Sequence, residues 1–135
     1  MSELLSKSTQ NLDSAQLLIS KNYFAPSVHC SYYSTVQILI HLLLHELKFT
    51  QEKFDNDSEN EGKSSHVFAI NTIFTEMDRR KERLKAVDFQ RQIKTLKNYR
   101  VQADYKDLKI EQSLSEDSLE KAKSIKLILQ KVFSF

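Results

Sequence analysis

Glycine and proline are nearly absent here: 135 residues contain one glycine, Gly62, and one proline, Pro26. Sheets consume tight turns, and tight turns draw on Gly, Pro, Asn and Asp. A chain this poor in Gly and Pro, and rich in Leu, Lys, Glu, Gln and Ser, favours helices joined by short connections. Its length suits one domain and is enough to bury a real core. The expectation is a single all-α domain over residues 1–135, an up-and-down bundle of about five helices.

Hydrophobic spacing places those helices. Leu5, Leu12, Ala15, Leu18 and Ile19 line one side of a helix from about Glu3 to Ser20, with Ser2 as its N-cap. Pro26 suits the first turn of a second helix, expected over Pro26–Lys48. Its stripe is Val28, Tyr32, Val36, Leu39, Leu43 and Leu47, and Ile38, Ile40, Leu42 and Leu44 extend the apolar surface around it. A helix apolar nearly all round is a central core element, a subunit interface, or both. The acidic, polar segment TQEKFDNDSENEGK is expected to be a loop. A third helix is expected from Ser64 or Ser65 to Arg80, with Val67, Ile70, Ile73, Phe74 and Met77 inward. RRKERLK then either extends it or bends. A fourth helix is expected from Ala86 to Asp104, and a fifth from about Leu114. Ser113 and Glu116 have capping-box spacing, and Leu119, Ala122, Ile125, Ile128, Leu129 and Val132 form that last helix's inner face.

Several chemistries are excluded or weak. With one glycine, no phosphate-cradling Gly-rich loop of Walker or Rossmann type exists, and no cofactor is expected. His41 and His45 lie i, i+4, but Leu42 stands where a zincin needs glutamate, and no third ligand is near in sequence. Asp55, Asp57 and Glu59 hint at a calcium loop, yet Gly62 is misplaced and the closing glutamate is missing. No metal is therefore expected. Lone Cys30 excludes an internal disulfide, fits a cytoplasmic setting and reads as a small core residue, because neighbouring His29 projects about 100° away on a helix. The run VQILIHLLLHEL is too short to span a bilayer, so no membrane association is expected.

Charge is distributed unevenly. Residues 79–100 carry nine Lys or Arg against Glu82 and Asp88, a net +7, which leaves −5 elsewhere given the whole-chain +2. Such a band either tracks a nucleic-acid backbone or is a solvated helix face. Tyr99 and Tyr105 flank it and could stack on unpaired bases or pack on the bundle.

Within that band, Arg100 occupies the stripe set by Ala86, Phe89, Ile93, Leu96 and Ala103. A cation on an apolar face needs a partner or an open groove. Asp104, four residues on, can pair with it along the helix. Alternatively, Arg100 binds phosphate through its planar guanidinium while Asp104 orients it and Tyr105 adds a hydroxyl. In an unbroken helix Tyr105 projects about 140° from Arg100, so the two converge only if the helix ends or kinks near Ala103, or if a second subunit contributes one of them. His66 titrates in the range a general base needs.

Four sequence elements, in order, resemble the HEPN domain family (higher eukaryotes and prokaryotes nucleotide-binding). SAQLLISKNYFAPSVHCSYYSTVQILIHLLL is similar to its opening helix pair, with Tyr32, Tyr33 and Ser34 at the Tyr-Tyr-Ala signature. KSSHVFAINTIF, with His66 and Phe74, resembles the element that opens the third helix. RVQADY, with Arg100, Ala103, Asp104 and Tyr105, resembles the Arg-x-x-Ala-Asp-Tyr element, and a helical tail follows. The resemblance implies a helical bundle, commonly a homodimer built through the central helices. It also implies functions around RNA: metal-independent endoribonucleases of toxin and defence systems, some paired with a small nucleotidyltransferase.

That family's catalytic motif is an Arg followed a few residues later by His. Here Tyr105 occupies that place and no histidine follows His66. The implied function is RNA or nucleotide-phosphate binding with weak or degenerate ribonuclease activity. Arg100, Tyr105 and His66 are the candidate catalytic groups, Arg100 and Asp104 the phosphate-binding or orienting pair, and Tyr32 and Tyr33 a core or dimer signature. The competing expectation is a non-catalytic helical module that pairs with a nucleotidyltransferase or antitoxin and keeps Arg100 in a structural pair with Asp104.

Overall fold

The computed structural model describes residues 2–135, and all the regular structure among them is helical. In order these are α1 (Glu3–Ser20), α2 (Phe24–His41), α3 (Gln51–Asn60), α4 (Ser65–Arg79), α5 (Arg83–Tyr105) and α6 (Gln112–Phe133). α2 runs on into a π turn over Leu42–Glu46. No helix among the described residues is long and apolar enough to cross a membrane.

α1 and α2 form an antiparallel hairpin held by small side chains. Ser2 meets His41, Ser8 donates to the Ser34 carbonyl at 2.7 Å, and Ser27 donates to the Ala15 carbonyl at 3.0 Å. Numbers rise along α1 as they fall along α2. Ser8, Ala15, Ser27, Ser31 and Ser34 are all buried, so the two backbones approach closely across short side chains. Each buried hydroxyl that finds a carbonyl avoids a desolvation cost of about 1–3 kcal/mol.

α2 is the central element, packed against α1, α4, α5 and α6. Its apolar circumference is consumed largely within one chain: Val28, Tyr32, Val36, Ile38, Leu39, Leu42 and Leu43 are buried, and Ile40 packs partly against the same core. The expected stripes of the other helices supply the rest, with Ile70, Ile73 and Met77 from α4, Ala86, Phe89, Ile93 and Leu96 from α5, and Ala122, Ile125 and Leu129 from α6.

Two local expectations are corrected. The acidic segment expected as a loop contains a helix, α3. Thr50 caps it by accepting from the Lys53 amide at 3.0 Å, Lys53 pairs with Asp57 at 2.9 Å, and buried Phe54 packs edge-on against Phe68. One aromatic anchor and i, i+4 pairs suffice where hydropathy gave no stripe. The Ser113–Glu116 capping box does not form, because α6 starts earlier, with Glu111 at the N-cap and Gln112 bonded to Glu116. α2 starts at Phe24, which leaves Pro26 inside the first turn as expected. RRKERLK bends: Arg80, Lys81 and Glu82 separate α4 from α5.

Candidate functional site

α2, α4 and α5 meet where Tyr32 and Tyr33, His66, and Arg100 converge. α5 carries Arg100 into this corner because its apolar period points inward, and residue 100 falls on the same face as Leu96. Arg100 is only 8% exposed. Its guanidinium carbon lies 4.9 Å from the Tyr32 ring centroid, 5.8 Å from Tyr33 and 5.4 Å from Tyr105. Electron-rich ring faces stabilise a cation that burial would otherwise penalise.

Neutralisation by the carboxylate is incomplete. Asp104 Oδ2 lies 3.8 Å from Arg100 Nη1 and only 2.8 Å from His29 Nδ1. Arg100 Nη1 also donates to the Tyr105 hydroxyl at 3.2 Å, while Nε is buried with no partner. The contact with Tyr105 corrects the expected geometry. α5 stays helical through Tyr105 and turns extended only at Lys106, and the long Arg and Tyr side chains meet around the helix end within one chain.

α4 opens with Ser64 accepting from the Val67 amide, which sets His66 in the first turn. His66 Nδ1 lies 3.2 Å from the Tyr32 hydroxyl, and its ring lies edge-on to Tyr33. Burial holds His66 below its ordinary value, and the charges of Arg100 and Lys97 add to that. Lys97 is lowered as well, by burial and then by Arg100. Burial pushes the Tyr32 phenol up to about 12 against the opposing pull of Arg100, so its proton stays on. Arg100 thus shares the corner with a histidine whose protonation is disfavoured by burial and by nearby positive charge. Among the described residues Lys97 has no acidic partner within ion-pair distance, so positive charge is in local excess.

The six candidate site residues Tyr32, Tyr33, His66, Arg100, Asp104 and Tyr105 lie together in this corner. His29, which the sequence did not mark out, is there too, bonded to Asp104 and packed on Tyr33. Its ring stacks 4.5 Å from Tyr33, one turn along α2, and the i, i+3, i+4 spacing of His29, Tyr32 and Tyr33 was the available signal. Cys30 faces away, against Ala15, Ile19 and Leu119, and burial raises its thiol.

The other candidates separate from the corner. Tyr99 donates to Asp117 on α6 at 2.9 Å and so is tied to the bundle. Much of the basic band is internally paired: Arg79 and Arg80 with Glu76, Arg83 with Asp78, Lys85 with Glu82, and Arg91 with Asp88. His41 and His45 stack at 4.9 Å and line a separate cavity of about 610 Å³ with Ser2, Lys126 and Phe135. No group of three or more potential metal ligands occurs among the described residues. Comparison with protein-family models, with curated proteins and with solved structures finds no match to the chain.

Proposed function

We propose that this chain is a HEPN-type bundle that binds the phosphates of single-stranded RNA at the corner built by Tyr32, Tyr33, His66, Lys97 and Arg100. One observation carries the reading. Arg100 is buried, and among the described residues the one carboxylate within ion-pair distance of it, Asp104 at 3.8 Å, is engaged more closely by His29 at 2.8 Å. An anion arriving there supplies the partner that Asp104 only partly provides. Arg100 offers a planar donor set to phosphoryl oxygens, and the partly buried Tyr33 and exposed Tyr105 rings beside it suit unstacked bases. The resemblance of YYS and RVQADY to the family's signatures points the same way, and it brings the further proposals of a cytoplasmic homodimer and a toxin or defence context.

The test is binding of a labelled oligoribonucleotide over a salt series. Phosphate contacts release counterions, so affinity falls as salt rises, and Arg100→Met reduces the log–log slope by about 1. Competition by mononucleotides at comparable affinity would redirect the reading from RNA to nucleotide phosphate. The burial of Arg100 favours a second reading, a non-catalytic module that docks on a nucleotidyltransferase or antitoxin. RNA affinity indifferent to Arg100→Met, together with a lowered melting temperature, would select it.

A further inference from the structure

We infer that the cavity enclosed by the start of α1, the π turn and the end of α6 is a binding site for a small aromatic monocarboxylate. It shares no residue with the corner around Arg100. His41 is about 12 Å further along α2 than Tyr33, at the rise of an α-helix. The inference therefore stands apart from the phosphate-binding reading.

The walls select a flat apolar body. At about 610 Å³ the cavity falls in the range that holds small organic ligands. Leu5 and Phe135 line it and also pack on the core. The His41 ring centroid lies 4.9 Å from that of His45 and 6.0 Å from that of Phe135, so three rings line one space. These are ordinary distances for paired aromatic rings, and a ligand ring extends the set. Ser2 Oγ holds His41 in place, 2.7 Å from Nδ1. Burial, and then the neighbouring His45, keep His41 below its ordinary value, so its ring is uncharged at neutral pH. The backbone beneath these rings is unusual. A π turn over Leu42–Glu46 is closed by the Leu47 amide donating to the Leu42 carbonyl at 2.9 Å. Single π turns within helices are rare and recur at functional sites.

The charge selects one anionic group. Lys126 is the only Lys, Arg, Asp or Glu that lines the cavity. It joins no ion pair among the described residues. Gln130, one turn further along α6, adds an amide donor on the same side. Glu46, whose charge reaches His41, pairs with Arg80 at 3.8 Å and does not line the cavity. A second cavity, of about 540 Å³, is different: Glu61 and Glu76 line it together with Lys63 and Arg79, so charge there is matched within the protein. Around Lys126 the match must come from outside. A carboxylate accepts from the Lys126 ammonium with one oxygen and from the Gln130 amide with the other, and its ring lies against His41 and Phe135. A phosphate dianion would bring a second negative charge for which the cavity has no cation.

The experiment is an NMR titration of the full chain with cinnamate at about pH 7.5, above the ordinary histidine range. The expected result is saturable binding with a Kd of about 1 mM or tighter. Resonances of Leu5, His41, His45 and Lys126 should move while those of Tyr33 and His66 stay. Cinnamamide, the neutral isostere, should bind at least about 10-fold more weakly, and Lys126→Met should weaken cinnamate by about as much. Octanoate, an anion without a ring, should bind about 3-fold more weakly. No saturation, or shifts centred on Tyr33 and His66, overturns the site. Equal affinity for cinnamamide, or cinnamate binding unchanged in folded Lys126→Met, overturns the role of the charge. Octanoate binding as tightly as cinnamate overturns the aromatic class, and phenyl phosphate binding more tightly overturns the monocarboxylate. None of these outcomes touches the RNA reading, which is tested at Arg100.

Discussion

The guanidinium carbon of Arg100 lies 4.9 Å from the centroid of the fully buried Tyr32 ring. That contact explains how a cation persists on the inner face of α5. The stabilisation is expected to appear as coupling. In a double-mutant cycle of Arg100→Met and Tyr32→Leu, urea unfolding should give an interaction energy of about 0.5–2 kcal/mol. Tyr32→Phe keeps the ring and removes the hydroxyl that meets His66, so it should cost only about 1 kcal/mol. A coupling near zero would mean that the ring merely fills space beside the cation.

Two histidines set an acid limit on stability. His66 and His41 are both held below the ordinary value of 6.5, chiefly by burial. For each, the unfolded chain binds a proton at a higher pH than the folded one. The folded state therefore has its full advantage above the unfolded value and loses it as pH falls through the lowered folded values. Urea midpoints should be flat from about pH 7 upward and drop as pH falls below the ordinary histidine value of about 6.5. In an NMR titration, Lys97→Met should move His66 back toward its ordinary value, since the Lys97 charge contributes to the lowering. An unmoved His66 would place Lys97 too far away to belong to the site.

Thr35 is fully buried on α2, and its hydroxyl has no hydrogen-bond partner. Thr35→Val keeps the shape and removes the unpaired oxygen. Stability should rise by about 1 kcal/mol in thermal or urea unfolding. A loss of stability would show that the hydroxyl is satisfied in solution.

α3 is the least well-tied helix, and one residue carries it. Phe54 is 3% exposed, between the α3 backbone and Phe68, while nearly every other α3 side chain faces solvent. Phe54→Ala should release α3 without unfolding the bundle. Amide exchange over Gln51–Asn60 should rise toward the unprotected rate while Leu39 and Ile93 stay protected. Exchange unchanged in α3 would mean that its ion pairs and Thr50 cap hold it alone.

The bundle was legible because its signals are local. Stripes at Ile70, Ile73 and Met77, or at Leu119, Ala122, Ile125 and Leu129, need only the helical period, and all of these residues are buried. α3 escaped because the single apolar Phe54 makes no period. The start of α6 escaped because Ser113 and Glu116 carry a cap signature that the backbone passes by. Arg100 was legible as an anomaly within a stripe. His29 was not, because what distinguishes it is a carboxylate 75 residues away, brought near only by the packing of α2 against α5.

The scarcity of glycine that points to helices also leaves its mark on how they end. α1, α3 and α4 all close with the same motif, in which a residue of positive φ lets the next amide reach back to a carbonyl five residues earlier. The positive-φ residue is Asn22 after α1, Gly62 after α3 and Lys81 after α4, at φ 62°, 65° and 63°. The returning bonds are Tyr23 N–H to Leu18 O, Lys63 N–H to Ser58 O and Glu82 N–H to Met77 O. Only the middle one uses the residue with no steric penalty there. A side chain in this left-handed region costs about 1–2 kcal/mol, less for Asn. Lys81 is exposed and forms no ion pair among the described residues, so its side chain gives nothing back. Lys81→Gly should therefore raise stability by about 0.5–1 kcal/mol after the added freedom of the unfolded chain is subtracted. Asn22→Gly should gain less. Gly62→Ala should lose about 1 kcal/mol although no atom crowds the added carbon, because the penalty is in the backbone angle. Urea unfolding of the three variants ranks them; if Lys81→Gly destabilises, the Lys81 side chain has a role in the α4–α5 bend that its exposure does not reveal.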